Sequence, residues 1–264
     1  MKIIFEIYYH TRWGESLFLS GDIDELGANE DNRAVMMDYQ GDGLWKYTME
    51  LPASAKKFHY EYLVKSGEGI RREWGSPHSF SPGKNAGEYR LVDRWRDVPA
   101  DLPFYSSAFI QGIFFRQHAD SVVETIEPGT LTVKVDASQL RPDERLVMVG
   151  DCPELGDWDV LKAPLLNDSA FPEWQITLDG KQLKFPFEYK FVIVRTHQRE
   201  VVAWETGENR ICREKPQNPS EAVVVSGLRF NGSESQWRGA GTAIPVFSLR
   251  TDYGFGIGEF IDLK

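Results

Sequence analysis

The chain repeats itself, and the repeat limits what it can fold into. Residues 21–30 read GDIDELGANE and residues 150–159 read GDCPELGDWD, so Gly21 and Gly150 stand 129 residues apart. Trp45 in GLWKYTMEL and Trp174 in PEWQITLDG keep that spacing, as do Phe58 in FHYEYLV and Phe187 in FEYKFVIV. Trp74 in RREWGS and Trp204 in VVAWETGENR stand one residue further apart. Three anchors in one register and a fourth beside it predict a duplicated unit of about 100 residues, too long for a solenoid period and therefore two domains. A chain of 264 residues has room for both and their linkers.

Each unit reads as β. IIFEIYY, SLFLSG, LWKYTMEL and KFHYEYLVK in the first, and TLTVKVD, RLVMVG, EWQITL, FEYKFVIV and EVVAWE in the second, are β-branched or aromatic runs bounded by Gly, Pro or Asp. Such spacing predicts antiparallel sandwiches or small barrels, and the fold expected for the chain is all-β, with two immunoglobulin-like antiparallel β-sandwiches in tandem. The expected boundaries are 1–100 for the first unit, 101–127 for a connector, 128–230 for the second unit and 231–264 for a linker and a piece of different character. Within the connector, SAFIQGIFF reads as a strand or a packed linker. The last piece, TAIPVFSLRTDYGFGIGEFIDLK, is an apolar strand followed by a Gly-rich loop.

Charge narrows the partners. A formal charge of −10 repels phosphate backbones and anionic lipid, which argues against nucleic acid and membrane. No window approaches the ~18 apolar residues of a membrane span, and MKIIFEIYYHTRWGE lacks the apolar core of a signal peptide, so a soluble cytoplasmic protein is expected. Cys152 and Cys212 make neither a disulfide framework nor a metal pattern. They are expected to be reduced thiols, with no cofactor and no metal.

Eight tryptophans invite a division between core and surface. Trp45 and Trp174 sit in alternating strands and read as core. Strand parity puts Val147 opposite Leu146 and Met148, and Phe18 opposite Leu17 and Leu19. Trp158 ends a polar turn, and Trp204 closes a strand ahead of Glu205, Gly207, Asn209 and Arg210. A pyranose has apolar C–H faces and a rim of hydroxyls, so exposed indoles with nearby amides and charges suit an α-1,4-glucan. Packing of one ring on its own loop is the alternative.

The run RLVMVGDCPELGDWDVLKAPLL with EWQITL, FEYKFVIV and AWETGENR resembles the starch-binding domains of carbohydrate-binding module family 20 over nearly all of residues 130–215. The resemblance implies a glucan site at Trp158, Lys190, Trp204 and Asn209, with Glu205 beside them. It also implies a second site, whose aromatic positions carry Val147 and Asp168 in the second unit but Phe18 and Tyr39 in the first. The first unit has Asn29 and Glu61 in place of the tryptophan and the lysine and keeps Trp74, so Phe18, Tyr39 and Trp74 are its candidate contacts. RGAGTAIPVFSLRTDYGFGIGEFIDL is similar to the start of the (β/α)8 barrel of glycoside hydrolase family 77. That order of parts implies the N-terminal region of a 4-α-glucanotransferase with a truncated start of its barrel. Such an enzyme is expected to work by retaining double displacement through two carboxyl groups that lie later on the barrel, with no catalytic residue in these 264. The expected partners are starch, glycogen and maltooligosaccharides, and oligomerisation is possible. The other reading, from a different class, is a β-sandwich module for protein–protein interaction or dimerisation that binds no sugar.

Overall fold

A computed structural model describes residues 1–52, 54–83, 87–99, 102–112 and 126–232. The expected barrel segment, from residue 233 onward, lies outside the described residues, as does the connector between 113 and 125.

Alternation builds the first sandwich. In β1 (Lys2–Tyr8), Ile3, Phe5 and Ile7 are wholly buried on one face. There follow β2 (Ser16–Gly21), β3 (Val35–Met36), β4 (Asp38–Gly41), β5 (Leu44–Glu50), β6 (Phe58–Ser66), β7 (Gly69–Arg72), β8 (His78–Phe80) and β9 (Glu88–Arg94). Strands β2, β3, β6, β7 and β8 form one layer, and β4, β5, β1 and β9 lie in the other. A short helix, α1 (Ser107–Gly112), follows, and its Ile110 is buried in the second core. The sequence allowed a strand or a packed connector there, and the segment packs as a helix. The second sandwich has β10 (Thr130–Asp136), β11 (Glu144–Gly150), β12 (Asn167–Ala170), β13 (Glu173–Asp179), β14 (Phe187–Arg195), β15 (Val201–Trp204), β16 (Arg210–Cys212) and β17 (Glu221–Arg229).

The duplication holds to the level of single hydrogen bonds. Trp45 and Trp174 are buried, and each indole N–H donates to a carbonyl at 3.0 Å, that of Tyr9 and that of Ala137. The amides of Asn29 and Trp158 reach back to Gly21 and Gly150, both at 2.7 Å. Asp22 accepts from the His59 amide at 2.8 Å, and Asp151 from the Glu188 amide at 2.9 Å. The fourth anchor needs correction. The amides of Tyr62 and Phe191 donate to the carboxylates of Glu73 and Glu205, while the amides of those acids return to Tyr62 and Phe191. Glu73 therefore matches Glu205. Arg72, paired with Leu63, stands where Trp204 pairs with Val192. Trp74 lies two residues further on and has no ring counterpart. The buried acid, not the nearby tryptophan, marks the repeat.

The units share a sheet. The eight-stranded layer runs β12-β13-β10-β17-β9-β1-β5-β4, and β9 pairs in parallel with β17. Its four central strands are parallel because the last strand of each unit returns beside its first, with the rest of that unit as the crossover. Tyr89 and Leu91 face the first core, and their partners Ala222 and Val224 face it with them. One residue out of phase, Val92 enters the second core with Val223 and Val225. The two cores thus lie on opposite faces of one sheet, each completed by a strand from the other unit. At Gly227, with φ +76°, an added Cβ would stand 2.4 Å from the Arg94 carbonyl oxygen, so only glycine permits this approach.

A buried polar network closes the seam. Asp93, fully buried, accepts from the hydroxyls of Tyr60 at 2.8 Å, Tyr62 at 2.6 Å and Ser226. Ser226 also bonds His78 at 3.0 Å. His78 and Arg96 both contact the Glu73 carboxylate, at 3.0 and 2.9 Å. Burial alone would raise the Glu73 pKa, but the charges and hydrogen bonds of His78 and Arg96 overcome it and hold the group at about 2. A carboxyl depressed in the folded state contributes stability above its unfolded value of about 4.3, and that contribution is lost as pH falls toward the folded value. Glu73→Gln is therefore expected to melt several degrees below the parent at pH 7, with the gap narrowing between about pH 4 and 2. Melting followed by circular dichroism across that range checks it. A constant gap would mean that the charge is irrelevant.

Candidate functional site

The site begins with a turn that the two copies share in backbone but not in side chain. After a short 3-10 helix, Gly156, Asp157 and Trp158 hold φ of 83°, 49° and 64°. Gly27, Ala28 and Asn29 hold 86°, 52° and 63°. Asparagine tolerates the left-handed region, whereas a bulky indole there is an outlier worth ~1–3 kcal/mol of strain. Trp158 is kept in place by its bond to Gly150 and by packing on Val147, Val149, Val160, Ala163, Val192 and Val194. Val147, Val149, Val192 and Val194 line the outer face of β11 and β14, under the loop that follows Trp158 and carries Val160 and Ala163. Val147 does point away from Leu146 and Met148, as parity required, but it is roofed over and fully buried. Asp168 is exposed enough to face Arg145 at 3.7 Å.

Strand register brings the remaining groups to the same face. Lys190 pairs with Val149, and Trp204 with Val192, so both lie on the side on which Trp158 packs. Trp204 is 44% exposed and Trp158 half-buried. The Lys190 ammonium donates to the carbonyls of Glu205 at 3.1 Å and Gly207 at 2.5 Å. Asn209 is exposed and donates to Glu188 at 2.8 Å. An indole, an ammonium, an amide and a second indole thus flank a shallow ledge. Glu205 is not part of its surface. It is 4% exposed, and both its oxygens accept from Arg210 Nε at 3.0 Å. Arg210 goes on to the carbonyls of Arg229 at 2.8 Å and Gly232 at 3.1 Å. The expectation of Glu205 as a surface contact gives way to a support beneath it, because a solvent-facing acid would leave Arg210 buried without its ion partner.

The first unit lacks this ledge. Its equivalents are Asn29, Glu61 and Arg72, and Arg72 bonds both Glu61 and Asp31. Trp74 packs edge-on to Tyr105 at 5.2 Å with the Arg229 guanidinium 5.7 Å from its ring, so it belongs to the seam. Phe18 is half-buried, and the Lys65 ammonium sits 4.1 Å over its ring. Tyr39 is 57% exposed, on the far edge strand, against Trp45. The sequence reading missed Trp13, which projects wholly into solvent. It rides a type II turn, Arg12 to Glu15, closed by the Glu15 amide on Arg12 at 3.0 Å with Gly14 at φ +82°. Glu15 and Tyr9 brace the turn through Arg71. Tyr9 bonds Gly43, whose amide also reaches the Tyr39 hydroxyl, so Trp13 and Tyr39 occupy one end of the sandwich. The signal was available, since Trp13, like Trp158, is a tryptophan in a polar turn with glycine.

Cys152 and Cys212 are free and lie in the second core. Burial pushes the Cys152 thiol up to about 11 and raises that of Cys212 as well, which keeps both unreactive. Among the described residues no helix is long and apolar enough to cross a membrane.

A tandem of β-sandwiches with an aromatic ledge on one outer sheet has the form of a carbohydrate-binding module. The profile described as "Starch binding domain" matches residues 1–86 and 130–223, and the chain belongs to that family. Along its whole length it is 30% identical to a 4-alpha-glucanotransferase, DPE2, of Oryza sativa subsp. japonica, and it spans 29% of that protein. A stretch of 73 residues is 32% identical to an AA13 family lytic polysaccharide monooxygenase of Aspergillus terreus and covers 26% of this chain and 18% of that one. Among solved structures, the family 20 module of a maltotetraose-forming amylase from Pseudomonas saccharophila is 20% identical and covers 36% of this chain and 98% of the module, with a TM-score of 0.30. The chain therefore spans less than a third of the rice relative.

Proposed function

We propose that this chain binds α-1,4-glucans such as starch, glycogen and maltooligosaccharides through its second unit, as the N-terminal glucan-holding region of a 4-α-glucanotransferase. The observation that carries the reading is the convergence of Trp158, Lys190 and Trp204 on one outer sheet face. Catalysis belongs to a barrel outside the described residues. Retaining transfer needs two carboxyl groups ~5 Å apart on an open site. The buried Glu205 and Glu73 are committed to structure, Glu205 to Arg210 and Glu73 to His78 and Arg96. A shallow ledge covers little of its ligand, so a dissociation constant of roughly micromolar to millimolar is expected. Tethering such a ledge to a transferase raises local glucan concentration without altering the chemical step. Titration with β-cyclodextrin by calorimetry tests the reading, and no saturable heat at millimolar sugar would end it. Cytoplasmic residence is part of the same proposal.

A second, weaker contact is proposed at Trp13 and Tyr39 in the first unit, in place of the expected Phe18 and Trp74. Two exposed rings share one end there, whereas Lys65 covers Phe18 and the seam occupies Trp74. Trp13→Ala with Tyr39→Ala is expected to reduce binding of maltoheptaose from two equivalents to one. Phe18→Ala leaves it at two. A stoichiometry of one in the parent chain would make the first unit a spacer.

A further inference from the structure

The two arms of the ledge come from different parts of the chain. Trp158 leads into the loop 159–166, and Trp204 ends β15. Within the ledge, Trp158 packs on Val192, the strand partner of Trp204. A second link lies behind it, at Arg199 in the turn joining β14 to β15. Its Nη1 donates to three carbonyls of the Trp158 loop, those of Val160 at 3.4 Å, Leu161 at 3.1 Å and Ala163 at 2.6 Å. Its backbone is turned to φ +50°, and its amide bonds Arg195 at 2.9 Å, which directs the side chain back over the loop. The loop's own hydrogen bonds run from the Lys162 and Ala163 amides to Asp159, both at 3.0 Å. They bring Val160 and Ala163 down onto the outer valines, beside Trp158.

The first unit supplies a comparison within the same molecule. Its turn between β6 and β7 is Gly67 and Glu68, with no arginine. The matching loop is held at Asp31, by Lys65 on its carbonyl and by Arg72 on its carboxylate, and it carries no indole. The three-carbonyl clamp is found where there are two rings to align.

We propose that Arg199 is a positioning residue for glucan recognition, fixing the Trp158 arm against the Trp204 arm so that the two indoles match the curve of an α-1,4-glucan. This rests on the glucan reading of the ledge. The two Nη1 hydrogens of Arg199 are shared among the three carbonyls, and the rigid planar guanidinium fixes their direction, while a lysine ammonium has three donors on a flexible stem and sets no such geometry. A rigid ring of fixed curvature must suffer more from a misaligned ledge than a flexible linear chain, which adapts.

The test compares the intact chain with Arg199→Ala and Arg199→Lys, titrated with β-cyclodextrin and with linear maltoheptaose, at a temperature where circular dichroism shows every variant folded. Arg199→Ala is expected to weaken β-cyclodextrin about tenfold, or ~1.4 kcal/mol, and maltoheptaose clearly less. Arg199→Lys should recover part of the loss. Parent affinity for both sugars in Arg199→Ala, or equal losses for both that track a fall in melting temperature, overturns the positioning role. If the parent chain binds neither sugar, the glucan reading itself fails and takes this proposal with it, an outcome distinct from the other two.

Discussion

Replacing Trp204 by alanine is expected to lower the affinity of the second unit for β-cyclodextrin by ~100-fold, about 2.7 kcal/mol. The ring is 44% exposed at the edge of its sheet, so its removal opens no cavity. What is lost is the flat face on which a pyranose stacks. Aromatic anchors at the centre of an interface commonly carry 2 kcal/mol or more, about the size of this effect. Trp158 needs a subtler substitution, because its ring also packs on the outer valines and its backbone is left-handed. Alanine would keep the strain and lose the packing. Trp158→Gly relieves the backbone at φ +64° and removes the ring, so its melting temperature should fall less than that of Trp158→Ala while binding is lost equally. Trp13→Ala serves as the control and should leave this site intact. If Trp158→Gly and Trp204→Ala both bind with parent affinity, the ledge does not hold the sugar.

Much of this was legible before any coordinates. The duplication, the all-β class, the buried Trp45 and Trp174 and the family all follow from short patterns, because strand alternation and turn chemistry are local. Lys190 and Trp204 came together only through the family resemblance, and the pairing register of β14 with β11 and β15 then puts them on one face. What escaped was longer-ranged. Parity gave the direction of Val147 but not the loop that roofs it. Matching Trp74 to Trp204 rested on a shared letter, while the repeated structure is the buried acid at 73 and 205, which strand pairing reveals. Glu205 looked like a surface residue until Arg210 was seen beneath the ledge. The shared sheet left a trace only in hindsight. Both faces of β17 are apolar, as a strand buried between two cores requires, and such a run cannot by itself name its second partner.

That shared sheet leads to the largest expected loss of stability. Cut at the boundaries proposed for the units, residues 1–100 and 128–230 should not reproduce the stability of the whole. The first fragment loses Ala222 and Val224 from its core and exposes the edge of β9, along which Glu221 to Val225 were paired. It also loses Ser226 from Asp93, opening a buried carboxylate to water. Burying a valine is worth ~1.5–3 kcal/mol and each hydrogen bond ~0.5–1.5 kcal/mol. Several such terms together rival the ~5–15 kcal/mol that holds a domain folded. The second fragment loses Val92 and Ile110 from its core. The intact chain is therefore expected to melt in one calorimetric transition with van't Hoff and calorimetric enthalpies equal, and the 1–100 fragment to be unfolded or aggregated at room temperature. Two separated transitions in the whole chain, or a first fragment as stable as its parent, would show that the seam joins independent domains. If the single transition is found, glucan bound at the Trp158 ledge should raise the melting temperature of the first unit as well, since a ligand that binds only the native state stabilises everything that unfolds with it.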